Sequence, residues 1–363
     1  MKKIFLMLMV VCCVFVTGCF GKDNNSALKD IRKKYENLKA YQLTGNLEIL
    51  NNDDVYNYDV KVIYQKKDKF YVSLKNLNNN HEQIILKNED GVYVLTPSLN
   101  KSFKFQSDWP YNNSQVYLIQ SILDDILDDE ERNLVSDDNG YIFTTSVNYP
   151  NNRKLVKQIV TFDKKLNLKK VSVVDENNIS QMTMTFATID LSPTVNSDTF
   201  DLNKIMGTTE NGTGNSSNNT TENNTDNIKD NNQTSTDNKE NNSNQTTSTL
   251  EDVIYPLYIP TGTSLTSQEK INKTDGERVI MTFEGEKPFL LVEETSSVEK
   301  EFSIIPTYGE PYLLIDTVGA LTDSSITWSS NGVDYYLVSD VMSQNELIDI
   351  ARSVSVVPTM NQK

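Results

Sequence analysis

Residues 41–64, YQLTGNLEILNNDDVYNYDVKVIY, decide the fold class. Tyr41, Leu43, Gly45, Leu47 and Ile49 alternate with polar positions. Asn51-Asn52-Asp53-Asp54 then reads as a turn, and Tyr56, Tyr58, Val60, Val62 and Tyr64 alternate again. Side chains of a strand point to opposite faces in turn, so each run predicts a strand with one buried face. The polar turn between them makes the pair an antiparallel hairpin.

The same reading extends in both directions. Upstream, Leu28, Ile31, Tyr35 and Leu38 keep helical spacing behind Ser26, a candidate cap. Downstream, strands are expected at 70–74, 84–86, 92–95 and 103–105, with Asn88-Glu89-Asp90-Gly91 as a turn. A helix is expected from about Gln115 to Leu127, then strands at 141–147, 156–162, 171–174 and 182–186. Many antiparallel strands with one-sided alternation and two helices imply a curved sheet whose apolar face the helices cover.

Residues 207–249 are rich in Asn, Thr and Ser, and Ile228 is their only sizeable apolar side chain. Such a stretch buries too little surface to offset chain entropy and reads as a disordered linker. Beyond it, residues 250–358 form a small α+β unit. Runs at 279–283 and 289–293 flank Glu284-Gly285-Glu286-Lys287, and runs at 326–328 and 335–338 flank Ser329-Ser330-Asn331-Gly332. Ser343 and Glu346 make a capping box for a last helix.

The N-terminus carries Lys2 and Lys3 and an apolar run from Ile4 to Val16, short of the roughly 20 residues that span a bilayer. It therefore reads as a signal segment. Its end, Val16-Thr17-Gly18-Cys19, resembles the lipobox of bacterial lipoproteins. That resemblance implies cleavage before Cys19, a diacylglyceryl group on its sulfur and an acylated amine. Cys12 and Cys13 lie in the leader, so the mature chain keeps one cysteine, itself modified, and no disulfide or Cys-based metal site is expected. Two or more acyl chains anchor firmly where one does not. The expected organisation is a signal peptide at 1–18, a tether at 19–26, a first domain at 27–206, the linker and the second unit. The mature protein is expected outside the cytoplasm, held at the cell membrane or forespore envelope by lipid. A formal charge of −16, made more negative by loss of Lys2 and Lys3, argues against nucleic acid as a partner.

Little in the chain points to catalysis. His81 is the single histidine and sits in LNNNHEQ, where a solvated loop residue is the plain reading. Asp124, Asp125, Asp128, Asp129, Glu130 and Glu131 gather at a helix end without the glycine and spacing of a calcium loop, so a solvated face is expected. Neither a nucleophile elbow nor a Gly-rich phosphate loop occurs. No enzyme activity, metal or diffusible cofactor is expected.

Residues 91–118 stand apart for their aromatic content. Trp109-Pro110-Tyr111 lies between a strand and a helix and could belong to the core or line a binding surface. Trp109, Tyr111, Tyr93, Leu95 and Tyr117 are the candidate residues for a partner or ligand.

GVYVLTPSLNKSFKFQSDWPYNNSQ at 91–115, with QIILKN before it and VNYPNNRKLVKQIVTFD after it, resembles the LolA/LolB-like lipoproteins of spore-forming Firmicutes. The resemblance covers roughly Ala27 to Met206. It implies an incomplete antiparallel β-barrel closed by helices around an apolar concavity, and a role in sporulation or germination. The germination members are non-enzymatic partners of a peptidoglycan amidase, so a cell-wall hydrolase is the partner the resemblance implies. The competing expectation is an anchored receptor that holds a lipid or lipoprotein acyl chain in the concavity. The sequence does not indicate an oligomeric state.

Overall fold

The computed structural model describes residues 24–51, 54–150, 152–209, 250 and 252–354. The leader, Cys19, and residues 210–249 of the expected linker lie outside the described residues.

After helix α1 (Asn24–Tyr35) come six strands in an antiparallel meander: β1 (Ala40–Asn51), β2 (Asp54–Gln65), β3 (Lys69–Asn76), β4 (Glu82–Asn88), β5 (Gly91–Thr96) and β6 (Lys101–Phe105). Helix α2 (Ile119–Asp128) leads to a second meander: β7 (Asn133–Ser136), β8 (Gly140–Ser146), β9 (Lys157–Asp163), β10 (Leu168–Val174) and β11 (Ser180–Asp190). Strand β11 returns to pair antiparallel with β1, which joins the meanders into one sheet. The join has a bulge at Thr44/Gly45. A Cβ on Gly45 would lie 2.2 Å from the carbonyl oxygen of Thr185, so only glycine lets β1 approach here.

The alternation expected for β1 and β2 holds. Leu43, Leu47, Val60 and Val62 are buried against Ile31 of α1 and Ile119, Ile122 and Ile126 of α2. Each fully buried aliphatic side chain of this kind contributes about 1.5–3 kcal/mol. The first helix starts at Asn24, so Ser26 lies inside it and Leu38 falls beyond its end. The second helix starts at Ile119 rather than Gln115, because Gln115 donates its N–H to Ser121 Oγ (2.7 Å) in a loop.

A short helix, α3 (Leu202–Thr209), follows a 3-10 turn at Ser197–Phe200. It runs three residues into the segment expected as linker, because Met206, Leu202, Ile205 and Phe200 pack on Ile84, Leu86, Tyr93 and Leu95. Strands β4 and β5 are therefore apolar on both faces: Ile85, Val92 and Val94 face the α1/α2 side, and their neighbours face α3.

The C-terminal unit contains β12 (Thr263–Asn272), β13 (Glu277–Gly285), β14 (Phe289–Thr295), β15 (Ser303–Thr307), β16 (Glu310–Leu313), β17 (Val318–Leu321), β18 (Ser325–Ser330), β19 (Val333–Val338) and α4 (Gln344–Ser353). Seven of these strands form an antiparallel sheet in the order β12-β13-β14-β19-β18-β17-β16. Both expected hairpins are present, and Asn331 and Gly332 take positive φ (50° and 79°), as a tight two-residue connection requires. The capping box forms: Ser343 Oγ accepts from Glu346 N, and Glu346 Oε2 accepts from Ser343 N (2.9 Å). Leu347, Ile348 and Ile350 of α4 then pack on Met281, Leu291 and Leu337.

The two units do not merely flank a linker. Strand β15 leaves its own unit and pairs parallel with β6, so the large sheet has twelve strands, with β15 and β7 as edges that do not close on each other. Leu313, Ile315, Val318 and Ala320, from the β16–β17 hairpin, belong to the same apolar core as α1 and α2.

Candidate functional site

Two regions of the fold bear on function: the place where the β16–β17 hairpin enters the core, and the loop between β6 and α2.

At the first, Tyr58 donates its hydroxyl hydrogen to the carbonyl of Ile315 (2.7 Å), and Gln83 Oε1 accepts from Val318 N (2.5 Å) and Thr317 Oγ1 (3.0 Å). Buried backbone groups of the hairpin are satisfied by side chains of the large sheet, as buried polar groups must be. The helix-covered face thus receives side chains from its own chain.

At the second, the aromatic cluster divides. Trp109 is 1 % exposed, meets Phe70 edge-on at 5.7 Å, donates its backbone N–H to Ser107 Oγ (2.9 Å) and accepts from Lys87 Nζ at its backbone carbonyl (2.8 Å). Tyr111 is 55 % exposed; its hydroxyl donates to Asp68 (2.7 Å) and Lys87 Nζ stands 4.7 Å from its ring centre. Tyr93 and Leu95 are buried beneath α3, and Tyr117 is buried in the main core beside a cavity of about 50 Å³. Of the five candidate residues, the structure leaves only Tyr111 on the surface. The loop is tied to the C-terminal unit by Glu310, which accepts from Ser107 Oγ and from Asn112 Nδ2 (2.8 Å).

Tyr111 stands at the rim of a cleft of about 430 Å³ lined by Gln120, Asp124, Asp125, Asp128 and Asn148. Asp124, Asp128, Glu130 and Glu131 are exposed, as expected of a solvated face, whereas Asp125 and Asp129 are half-buried. Asp125 is half-buried and accepts from Ser114 Oγ (2.9 Å) and Gln158 Nε2 (3.1 Å). Burial pushes its carboxyl up to about 7; the Ser114 bond pulls the other way, and Asp124, Asp128 and Asp129 add to the rise. Asp124 lies exposed, and its carboxyl is raised by partial desolvation and then by Asp128. Asp129 is held low, chiefly by the N–H of Ser146. A cleft of this charge suits a basic group. Sequence reading found the acidic cluster and Tyr111 separately; their adjacency depends on how the loop folds back on α2.

His81 is half-buried rather than solvated. Burial lowers its pKa while Asp316 of the hairpin raises it, and its Nε2 has no hydrogen-bond partner among the described residues. Its single-sequence context could not show a neighbour in the other unit.

Asp125 gives a pH prediction. An acid whose folded-state pKa exceeds its unfolded value supports the fold while protonated. That support is complete below its ordinary 3.8 and is lost as pH rises through about 7. Asp125→Asn, which can keep the Ser114 bond, should stabilise the protein by about 2 kcal/mol at pH 8 and change little at pH 4. Denaturant unfolding at both pH values measures this; a pH-independent difference would refute it.

No family profile matches the chain. Sporulation protein YdcC of Bacillus subtilis (strain 168) is 31% identical over 356 residues, covering 97% of this chain and 97% of that protein. The chain belongs to the YdcC family of sporulation proteins. The relative spans both units, so the β16–β17 hairpin and the unit that carries it fall within the family relationship. The resemblance to envelope lipoproteins of spore-forming bacteria, carried by 91–115 and its flanks, accords with this membership. Among solved structures, the Pseudomonas aeruginosa MucA/MucB complex is similar at 10% identity and a TM-score of 0.29, covering 88% of this chain and 94% of that one. The CwlD amidase of Clostridioides difficile in complex with the GerS lipoprotein is similar at 17% identity and a TM-score of 0.27, over 46% and 94%. A putative outer membrane lipoprotein-sorting protein domain from Vibrio parahaemolyticus is similar at 9% identity and a TM-score of 0.27, over 50% and 97%. These TM-scores are low, and the family assignment rests on the sporulation protein alone.

Proposed function

We propose that the protein is an extracytoplasmic sporulation lipoprotein, anchored through Cys19, that binds a protein partner and does no chemistry itself. The observation that carries this reading is where the apolar and polar surfaces are used. The helix-covered face of the large sheet is filled by α1, α2 and the β16–β17 hairpin, while Tyr111 is left exposed beside an acidic cleft. An acyl chain in the concavity would have to displace the hairpin and its bonds to Tyr58 and Gln83. A partner that brings Lys or Arg to the cleft and an apolar surface to Tyr111 displaces nothing. Exposed aromatics with a polar rim are common binding anchors. A cell-wall amidase is the partner class that the resemblance implies, and its contact surface would have to be basic here.

The test compares wild type, Tyr111→Ala/Asp124→Lys and Cys19→Ala in sporulating cells grown with labelled fatty acid. Wild type should incorporate label, sit in membranes and bring down a partner. The cleft variant should keep label and fold, since exposed substitutions change stability by about 0.5 kcal/mol or less, but bring down at least about tenfold less partner. Cys19→Ala should lose the label. Equal partner recovery from the cleft variant would move the interface elsewhere, and stoichiometric copurified lipid would favour the acyl-receptor reading.

A further inference from the structure

We propose that docking of the C-terminal unit sets the shape of the Tyr111 loop, with Glu310 as the positioning residue, so that the cleft binds its partner in the docked arrangement and is released from it on undocking. This rests on the reading of the cleft as the partner site and adds its regulation. Residues 106–118 form no helix or strand, so bonds to neighbouring elements fix their course. The large-sheet unit holds the loop at the Trp109 carbonyl through Lys87 (2.8 Å), at the Tyr111 hydroxyl through Asp68 (2.7 Å) and at Ser114 N through the Asn148 carbonyl (2.8 Å). The C-terminal unit supplies the remaining hold. Glu310, the first residue of β16, uses one oxygen, Oε2, to accept from both Ser107 Oγ and Asn112 Nδ2 (2.8 Å). These donors flank Trp109-Pro110-Tyr111, and Ser107 Oγ also accepts from Trp109 N (2.9 Å). A single carboxylate oxygen therefore draws together both ends of the turn that carries Tyr111. Bonds to an ionised acceptor are the strong ones, and Glu310 is half-buried, where water competes less.

The packing behind the turn leads the same way. Asn113 and Ser114 line the cavity of about 50 Å³ together with Pro311, Tyr312 and Leu313 of β16 and Arg352 of α4. The same two residues line the acidic cleft in front, where Ser114 Oγ donates to Asp125 (2.9 Å). The loop is a partition with the C-terminal unit on one side and the cleft on the other. Withdrawing β16 removes the Glu310 bonds and the packing behind 113–114 together, while Trp109 stays seated against Phe70. The segment from Tyr111 to Ser114 then relaxes, and the Tyr111 ring and the acidic wall lose their relative placement. Coupling of this kind is reciprocal: a partner that binds the ordered cleft favours the docked arrangement by the same factor.

Hydrogen exchange followed by mass spectrometry, on the full chain in bilayer nanodiscs, reads the loop without any partner. Peptides covering 107–117 should exchange about tenfold faster or more in Glu310→Ala and in Val318→Lys, as loss of two bonds to a carboxylate implies. Peptides around Val160 and Val171 in β9 and β10 should keep their wild-type rate. Glu310→Gln keeps an acceptor oxygen and loses the charge. It should stay within about threefold of wild type; a rate equal to that of Glu310→Ala would make charge, not position, the cause and overturn the role of Glu310. Glu310→Ala leaves the hairpin's bonds to Tyr58 and Gln83 in place, so it decides the matter alone if Val318→Lys does not fold. The binding readout is the protein band that wild type brings down from sporulating cells and Tyr111→Ala/Asp124→Lys does not. Glu310→Ala should recover about fivefold less of it or lower, and Glu310→Gln should restore it. Unchanged exchange at 107–117 would overturn the proposal, as would faster exchange with full recovery of that band. Absence of any such band would overturn the partner reading of the cleft and the regulation with it, whereas the exchange rates would still decide whether docking shapes the loop.

Discussion

Trp109→Ala is expected to destabilise the protein by about 3–5 kcal/mol, the usual result of emptying a fully buried aromatic site. The indole is 1% exposed and closes a cluster with Phe70, which in turn meets Tyr64 at 5.0 Å, and Tyr64 stacks on Tyr41 at 5.2 Å. Alanine would leave a void bounded by rigid rings on strands β1, β2 and β3, which relax little. The neighbouring Lys87 bond goes to the Trp109 carbonyl and would survive, so the loss measures packing rather than hydrogen bonding. Thermal and denaturant unfolding check the magnitude. Partner binding by the fraction that stays folded should be normal, because Tyr111, not Trp109, faces solvent. A stable Trp109→Ala protein with impaired binding would contradict the core assignment.

Val318→Lys is expected to separate the two units. Val318 is 5% exposed in the core shared with α1 and α2, and its backbone N–H is held by Gln83. An ammonium there, without an acceptor, costs about 3 kcal/mol or more, and withdrawing the hairpin relieves that cost without unfolding either sheet. Wild type should unfold in one cooperative transition and the variant in two, with protease cutting between the units far faster. The variant would then behave as the composition of 207–249 suggests for the whole protein: two bodies joined by a linker. A single transition at the wild-type midpoint would show that the docking contributes little.

Much of the secondary structure was legible because it is signalled over a few residues. The alternation in 41–49 and 56–64, the Asn331-Gly332 turn and the Ser343/Glu346 capping box each became the expected element. Strand β12, TSLTSQEKIN, was not legible. It is almost wholly exposed at the edge of its sheet, so no burial pattern marks it, and only pairing with β13 makes it a strand. Strands β16 and β17 were missed because they are four residues each and buried on both sides, without an alternation to read. Helix α3 was hidden in the run-up to a polar stretch.

The candidate site was less legible than the fold. Aromatic content drew attention to Tyr93, Leu95, Trp109, Tyr111 and Tyr117, but content does not say which way a side chain turns. For Tyr93 and Leu95 the answer came from residues 197–209 folding over the opposite face of β5, and for Trp109 from the ring of Phe70.

By itself, then, the sequence determined the longer alternating strands, such as 41–49 and 56–64, the Asn331-Gly332 turn and the capped last helix. These follow from spacing and turn chemistry within a dozen residues. The tertiary structure alone decided that β15 crosses to the other sheet and that the β16–β17 hairpin fills the face expected to be a concavity. Tyr58 and Ile315, 257 residues apart, show why. Burial of apolar surface is non-directional and rewards any segment that covers it, so local pattern shows that a face must be covered and leaves open which distant residues will cover it.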